Sequence, residues 1–270
     1  MRNDLQSRGR DIFRLVLAVL LLGLAVPAVA RAQLVAAATV ESQYRFRGVS
    51  LTDGEPDVRL SLSYDHASGA YAGASIIGGE TARDGVQALG YVAYAGFAKQ
   101  MANGLGWDVG ATNADMILYL PVQQIIRSAQ NTPGAPGYNP SAAQDATQRY
   151  RINYSELYAG VSMPDLSARL YVSPDYLGQN LRTAYLDVTA SIRPMSQLRL
   201  YAHLGGLTPL GGSEGPNSDR QHGDLGAGAA WEFRHSEVQL GWTATTPQLE
   251  YPVGYRQARD ALIVSLTGFF

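Results

Sequence analysis

The chain of 270 residues contains no cysteine. That excludes a disulfide framework and every thiolate metal site. Past residue 32 no apolar run approaches the about 20 residues that a helical membrane span requires. Positive charge is not in excess: the net charge is −2, which argues against nucleic acid as a partner. Recognisable site chemistry is sparse too. His66, His222 and His235 fall at turns or loops without metal-ligand spacing. Gly211-Gly212-Ser213-Glu214-Gly215 lacks the lysine and strand–helix context of a phosphate loop and reads as a loop tip. No metal, cofactor or catalytic residue is assigned, and the protein is expected not to be an enzyme.

What is present begins with an address. Arg2, Arg8, Arg10 and Arg14 precede an apolar run from Leu15 to Val29, and Ala30-Arg31-Ala32 fits small-x-small cleavage. Residues 1–32 therefore read as a cleaved signal peptide, and 33–270 as one exported domain. Its loss removes five arginines and two acids, taking the net charge from −2 to −5. The mean hydropathy of −0.10 does not choose between a soluble domain and a barrel, whose outward apolar and inward polar residues average out. The period decides.

That period is two. Val58, Leu60, Leu62 and Tyr64 alternate with Arg59, Ser61, Ser63 and Asp65. Ala184 to Ile192 and Val238 to Ala244 behave alike, each placing apolar groups on one strand face. The pattern predicts twelve strands: 34–47, 57–65, 70–78, 87–98, 105–118, 149–162, 166–174, 182–193, 197–207, 223–234, 237–246 and 258–270. Short connections (66–69, 99–104, 163–165, 194–196, 235–236) alternate with long ones (48–56, 79–86, 119–148, 175–181, 208–222, 247–257). Such sorting marks an all-β, antiparallel transmembrane barrel with short periplasmic turns and long extracellular loops. A soluble sandwich has no reason to sort its loops by length. Leu262, Val264, Leu266 and Phe270 share one face of the last strand. That strand is expected to close the barrel against Val40, Tyr44 and Phe46, and to be read by the barrel-assembly machinery. Trp107, Trp231, Trp242, Tyr71, Tyr119 and Tyr150 suit interfacial girdles.

Tyr44-Arg45-Phe46-Arg47-Gly48-Val49-Ser50 with Thr52-Asp53 and Pro56 resembles the opening of the TorF-type porins of Gram-negative bacteria. Tyr64-Asp65-His66 with Ser68 to Gly73, and Glu156 to Val161 through Ser173-Pro174-Asp175-Tyr176, are similar to two further blocks of that family. The resemblance implies an outer-membrane barrel conducting small solutes. The chain departs from the family between Pro121 and Gln148, and lacks a Trp after Gly73.

The expected function is passive diffusion of small solutes through a narrow lumen in the bacterial outer membrane, with membrane lipids as the other partner. Selectivity is assigned to lumen charge and to an inward fold of the 119–148 loop. A tight first hairpin would set Arg45 opposite Arg59 and Arg47 opposite Asp57, with Arg259 nearby. That group reads either as a basic patch at the outer mouth that favours anions or as a network closed on Asp57 and Glu41. A turn at 194–196 would set Asp187 opposite His203, a carboxylate beside an imidazole. It reads as a structural lumen pair. A lipid-modifying enzyme would need a serine beside it, and a structural or surface-binding barrel with a plugged lumen is the other alternative. Mass spectrometry of the protein recovered from a Gram-negative envelope is expected to find a chain beginning at Gln33; one beginning at Met1 would refute the leader.

Overall fold

The period-two segments become strands of one closed sheet. The structure, a computed structural model, describes residues 34–81, 85–121, 147–212, 221–246 and 258–270. The predicted leader, most of the 119–148 loop and the 247–257 loop lie outside the described residues. The strands are β1 (Leu34–Glu41), β2 (Arg45–Phe46), β3 (Val49–Ser50), β4 (Asp57–Asp65), β5 (Ala70–Thr81), β6 (Gly85–Gln100), β7 (Gly106–Pro121) and β8 (Thr147–Met163). They continue as β9 (Leu166–Ser173), β10 (Leu181–Met195), β11 (Leu198–Gly212), β12 (His222–Glu232), β13 (Ser236–Thr245) and β14 (Asp260–Phe269). Twelve of them, all but β2 and β3, form an antiparallel closed barrel in which β1 pairs with both β4 and β14.

Closure removes the edge. Val40 stands opposite Leu266 across the β1–β14 seam. The Phe270 amide donates to the Ala36 carbonyl at 2.9 Å, and the Phe269 amide to that of His235 at 2.9 Å. Every backbone polar group within hydrocarbon needs such a partner, so the sheet must close on itself. The side chains agree. Leu157 and Leu262, on the outer face, are 68% and 62% exposed, and Leu62, Leu186, Leu204, Val264 and Trp242 are exposed there too. A continuous apolar exterior of this kind is stable only against lipid. On β7 and β8 the outer face turns polar at Asn113, Asp115, Arg151 and Ser155, which bond to one another across the strands. That marks where the apolar belt ends.

Several expectations are corrected. The segment 34–47 is not one strand: β1 stops at Glu41, and β2 and β3 form a separate two-stranded sheet. Val40 therefore meets the closing strand, while Tyr44 and Phe46 do not. The barrel register places Glu41 opposite Asp57 and Thr39 opposite Arg59, so Arg45 does not face Arg59, nor Arg47 Asp57. The slip is an even number of residues, which leaves each side chain on its predicted face. The same holds on β10 and β11, where Asp187 faces Gly205 and Thr189 faces His203, with a bulge between Ile192 and Met195. The 79–86 loop shrinks to residues 82–84, because β5 and β6 run on past their predicted ends. Tyr71 and Tyr150 are not girdle residues: Tyr71 bonds inside the barrel, and Tyr150 packs on an interior apolar cluster. Trp231 and Trp242 do lie exposed.

Glycine shapes the inner wall. A Cβ on Gly96 would meet the Tyr71 ring, one on Gly73 the Tyr94 ring, one on Gly110 the Tyr158 ring and one on Gly205 the Tyr185 hydroxyl. Each tyrosine lies along the wall over a glycine of the neighbouring strand instead of standing across the lumen. Gly110→Val should force Tyr158 off its seat and lower stability by about 1–3 kcal/mol. Gly206→Ala, whose Cβ would meet nothing within 4 Å, should change it little. Urea unfolding in lipid vesicles measures both; equal midpoints would refute the seating.

Candidate functional site

The fifteen residues between β1 and β4 turn inward. Residues Arg45–Ser50 form a hairpin in which Arg45 pairs with Ser50 and Phe46 with Val49. Arg47 (φ 50°) and Gly48 (φ 77°) make the two-residue turn. Positive φ at both central positions is the type I′ geometry, which suits the twist of a short hairpin. Around it Leu51 N donates to Tyr44 O at 2.8 Å, and Tyr44 N to Thr52 Oγ1 at 3.1 Å. Gly54 N donates to Ser50 Oγ at 3.1 Å. The segment thus carries its own hydrogen bonds into the barrel.

An apolar seat receives it. Leu51 is buried among Ile77, Leu89, Met116, Leu118 and Ile152, with Phe46, Val49 and Leu177 packed against them. These wall residues project inward at the long-connection end of β5 to β8. Leu89 reaches the cluster from the bulge between Ile77 and Gly78. Burying a side chain of this size is worth about 1.5–3 kcal/mol, so the cluster holds the segment in. Opposite, Gly48 lies so close to Asp224 and Thr245 that a Cβ would overlap them. His222 Nε2 donates to the Arg47 carbonyl at 2.9 Å. Arg45 donates to Gln43 Oε1 at 3.0 Å, to Gly48 O at 2.7 Å and to Ala258 O at 3.1 Å. The segment therefore touches the wall on two sides of the lumen.

Its centre is an ion pair. Arg47 Nη1 and Nη2 donate to Glu156 Oε1 and Oε2 at 2.9 and 2.7 Å. The two side chains are 5% and 1% exposed. The guanidinium lies 3.9 Å from the centroid of Tyr185 and 4.7 Å from that of Phe46, with Tyr171 and Tyr176 at 5.4 Å. Burial works against the charge of Arg47, but the Glu156 carboxylate bonded to it holds its pKa above the ordinary value. Burial pushes the phenols of Tyr44 and Tyr176 up, so both stay neutral. Tyr176 comes from the β9–β10 connection, whose single 3₁₀ turn (Tyr176–Gly178) also folds inward.

Among the described residues, two cavities lie in the lumen on the short-turn side of this pair. The larger, about 660 Å³, is bounded by Arg47, Tyr154, Glu156, Tyr94 and His203 among others. The other, about 560 Å³, reaches Lys99, Trp107 and Ser162. They share Tyr71, Arg169, Tyr171 and Asp187. Between them Tyr71 donates to Asp108 Oδ2 at 3.0 Å and lies 2.7 Å from the Tyr158 hydroxyl, while Arg169 Nη2 donates to Asp108 Oδ2 at 2.8 Å.

Of the predicted charge group, Arg45 and Arg47 lie elsewhere, whereas Arg59 stays with Glu41 and Asp57, as the network alternative has it. Arg47 crosses the lumen to Glu156, and Arg59 lies 3.5 Å from Glu41. Asp57 is buried beside Glu41, and Arg259 precedes β14, where its carbonyl accepts from Thr245 N at 2.8 Å. Asp187 and His203 do meet, diagonally, at 3.7 Å. The tighter partner of His203 is Asp224, 2.7 Å from Nε2. Among the described residues no serine bonds to His203. Gly211 to Gly215 has Gly-x-Ser-x-Gly spacing; Gly211 and Gly212 end β11, and Ser213 to Gly215 lie outside the described residues. Glu156 and Asp224 escaped the reading from sequence. A signal was present: Ile76-Ile77 and Met116-Ile117-Leu118 are apolar on both faces, so something besides lipid must cover the inner one.

Fold and lumen define an outer-membrane β-barrel. Residues 27–119 match the model of a family of bacterial proteins of unknown function, Gcw_chp. The match takes in the inward hairpin and two of the three blocks that resemble TorF-type porins. No curated protein matches the sequence. Among solved structures the NanC porin is similar at 8% identity and a TM-score of 0.54, covering 87% of this chain and 98% of its own. An outer membrane channel from Pseudomonas putida F1 is 9% identical with a TM-score of 0.47, covering 90% and 96%. The autotransporter NalP translocator domain from Neisseria meningitidis is 12% identical with a TM-score of 0.43, covering 99% and 98%. These identities speak of the fold alone.

Removing one partner of a buried pair costs about 3–5 kcal/mol. Glu156→Ala should therefore release the hairpin, and limited trypsin digestion of the folded protein should then cut after Arg45 and Arg47. Wild type should resist at both; an unchanged fragment pattern in the variant would refute the latch.

Proposed function

We propose that the protein is a narrow outer-membrane channel for small solutes, akin to the TorF-type porins, with its constriction formed by residues 42–56. The observation that carries this is the pair of cavities with shared walls leading from the short-turn end to the Arg47–Glu156 crossing. Twelve strands lie between the eight that leave a filled interior and the sixteen to eighteen that leave an aqueous channel. On the short-turn side the inner wall is polar, and Tyr71, Tyr94, Tyr158 and Tyr185 lie on glycine seats, which keeps that width free. The reading is non-enzymatic: His203 is held by Asp224 and Tyr185 and serves the wall. Export through a cleaved leader and recognition of the last strand by the assembly machinery belong to the same proposal.

The 119–148 loop is not needed as the constriction in this reading, because the first connection already spans the lumen. The refolded protein in planar bilayers is expected to show small discrete conductance steps. Glu156→Ala, which frees the hairpin, should enlarge them severalfold. Absence of steps in both proteins would overturn the channel, and equal steps would overturn residues 42–56 as its constriction.

A further inference from the structure

The larger cavity carries three guanidinium groups (Arg45, Arg47, Arg169) and three carboxylates (Glu156, Asp187, Asp224). They are closed on protein groups. Arg47 is spent on Glu156 and Arg169 on Asp108. Asp224 takes His203 at 2.7 Å and the Tyr185 hydroxyl at 3.0 Å. Asp187 accepts from Thr189 Oγ1 at 3.3 Å, and Arg45 is taken up by Gln43 and two carbonyls. Arg47 and Arg169 already have carboxylate partners, so an ionic solute entering here must shed water for guanidinium charges that are already compensated, which is costly.

What the cavity offers instead is aromatic. Tyr71, Tyr94, Tyr158, Tyr171 and Tyr185 all line it. Tyr158 and Tyr171 stand 5.5 Å apart between centroids, Tyr171 and Tyr185 6.2 Å, and Tyr71 and Tyr94 6.2 Å. Four of the five are seated on glycines, so the rings line the wall as a track with polar tips. A pyranose presents the complementary surface for such rings, a C–H face. The volume of about 660 Å³ falls within the about 300–1,000 Å³ of small-molecule sites.

We infer that this tyrosine-lined cavity binds neutral polyhydroxylated solutes of saccharide type in preference to charged ones. Passage of the sugar rests on the channel reading; binding does not. Saturation-transfer NMR on the detergent-folded protein tests binding directly, with maltose as probe and glucuronate and glucosamine as charged controls. Transfer to maltose C–H protons is expected, at least about threefold above either control, and at least about threefold weaker in Tyr171→Leu. Absence of transfer to maltose, equal or greater transfer to a control, or an undiminished signal in Tyr171→Leu overturns the inference. Because Tyr171 also flanks Arg47, Tyr94→Leu serves as a second variant, remote from the ion pair, with the same expectation. Binding without conductance steps would sink the channel and leave the site; steps without binding would do the reverse.

Discussion

A sheet in hydrocarbon has no water to satisfy an edge, and everything else in this structure follows from removing that edge. The seam between β1 and β14, down to the bonds of Phe269 and Phe270 with His235 and Ala36, makes the ladder continuous. Once it is, the outer face is committed to lipid. The inner face is then the only place for arginines, carboxylates and tyrosine hydroxyls in the depth of the membrane.

That confinement explains the inward hairpin. Charges in a low-dielectric lumen are tolerated when paired, and an inner wall that is apolar at one end must be covered. Residues 42–56 do both. Leu51 covers the patch of Ile77, Met116 and Ile152, and Arg47 supplies the counter-charge to Glu156. The type I′ turn at Arg47-Gly48 makes the segment short and stiff enough to reach across. A buried pair is weak as a source of net stability but strong as a specifier of position, and here it specifies where the lumen is narrowest.

Tyrosine and glycine settle the rest of the lumen. Rings standing across the lumen would narrow it. Laid over Gly96, Gly73, Gly110 or Gly205, they leave space and turn the wall into an aromatic track. The two cavities and their closed ion pairs are consequences of that arrangement, and the proposed preference for uncharged solutes rests on it.

The twelve barrel strands, the faces of most of their side chains and the short-turn end were legible in residues such as Leu60, Leu186, Val264 and Met163-Pro164-Asp165, though not the end of the first strand at Glu41 or the inward turn of Tyr71 and Tyr150. A period of two reports a strand's faces whatever its partner. Register was not legible. A slip by two, as between Asp187 and His203, leaves the pattern unchanged, so only strand pairing could make Asp224 the nearer carboxylate. Nor could the pattern separate Tyr44 to Ser50 from a strand, because a hairpin inside a lumen alternates too. The sequence by itself determined that this chain is an amphipathic sheet with an apolar outside. The tertiary structure alone decided which connection enters the lumen and which acid meets Arg47, because those contacts join residues 109 positions apart that only closure of the barrel brings face to face.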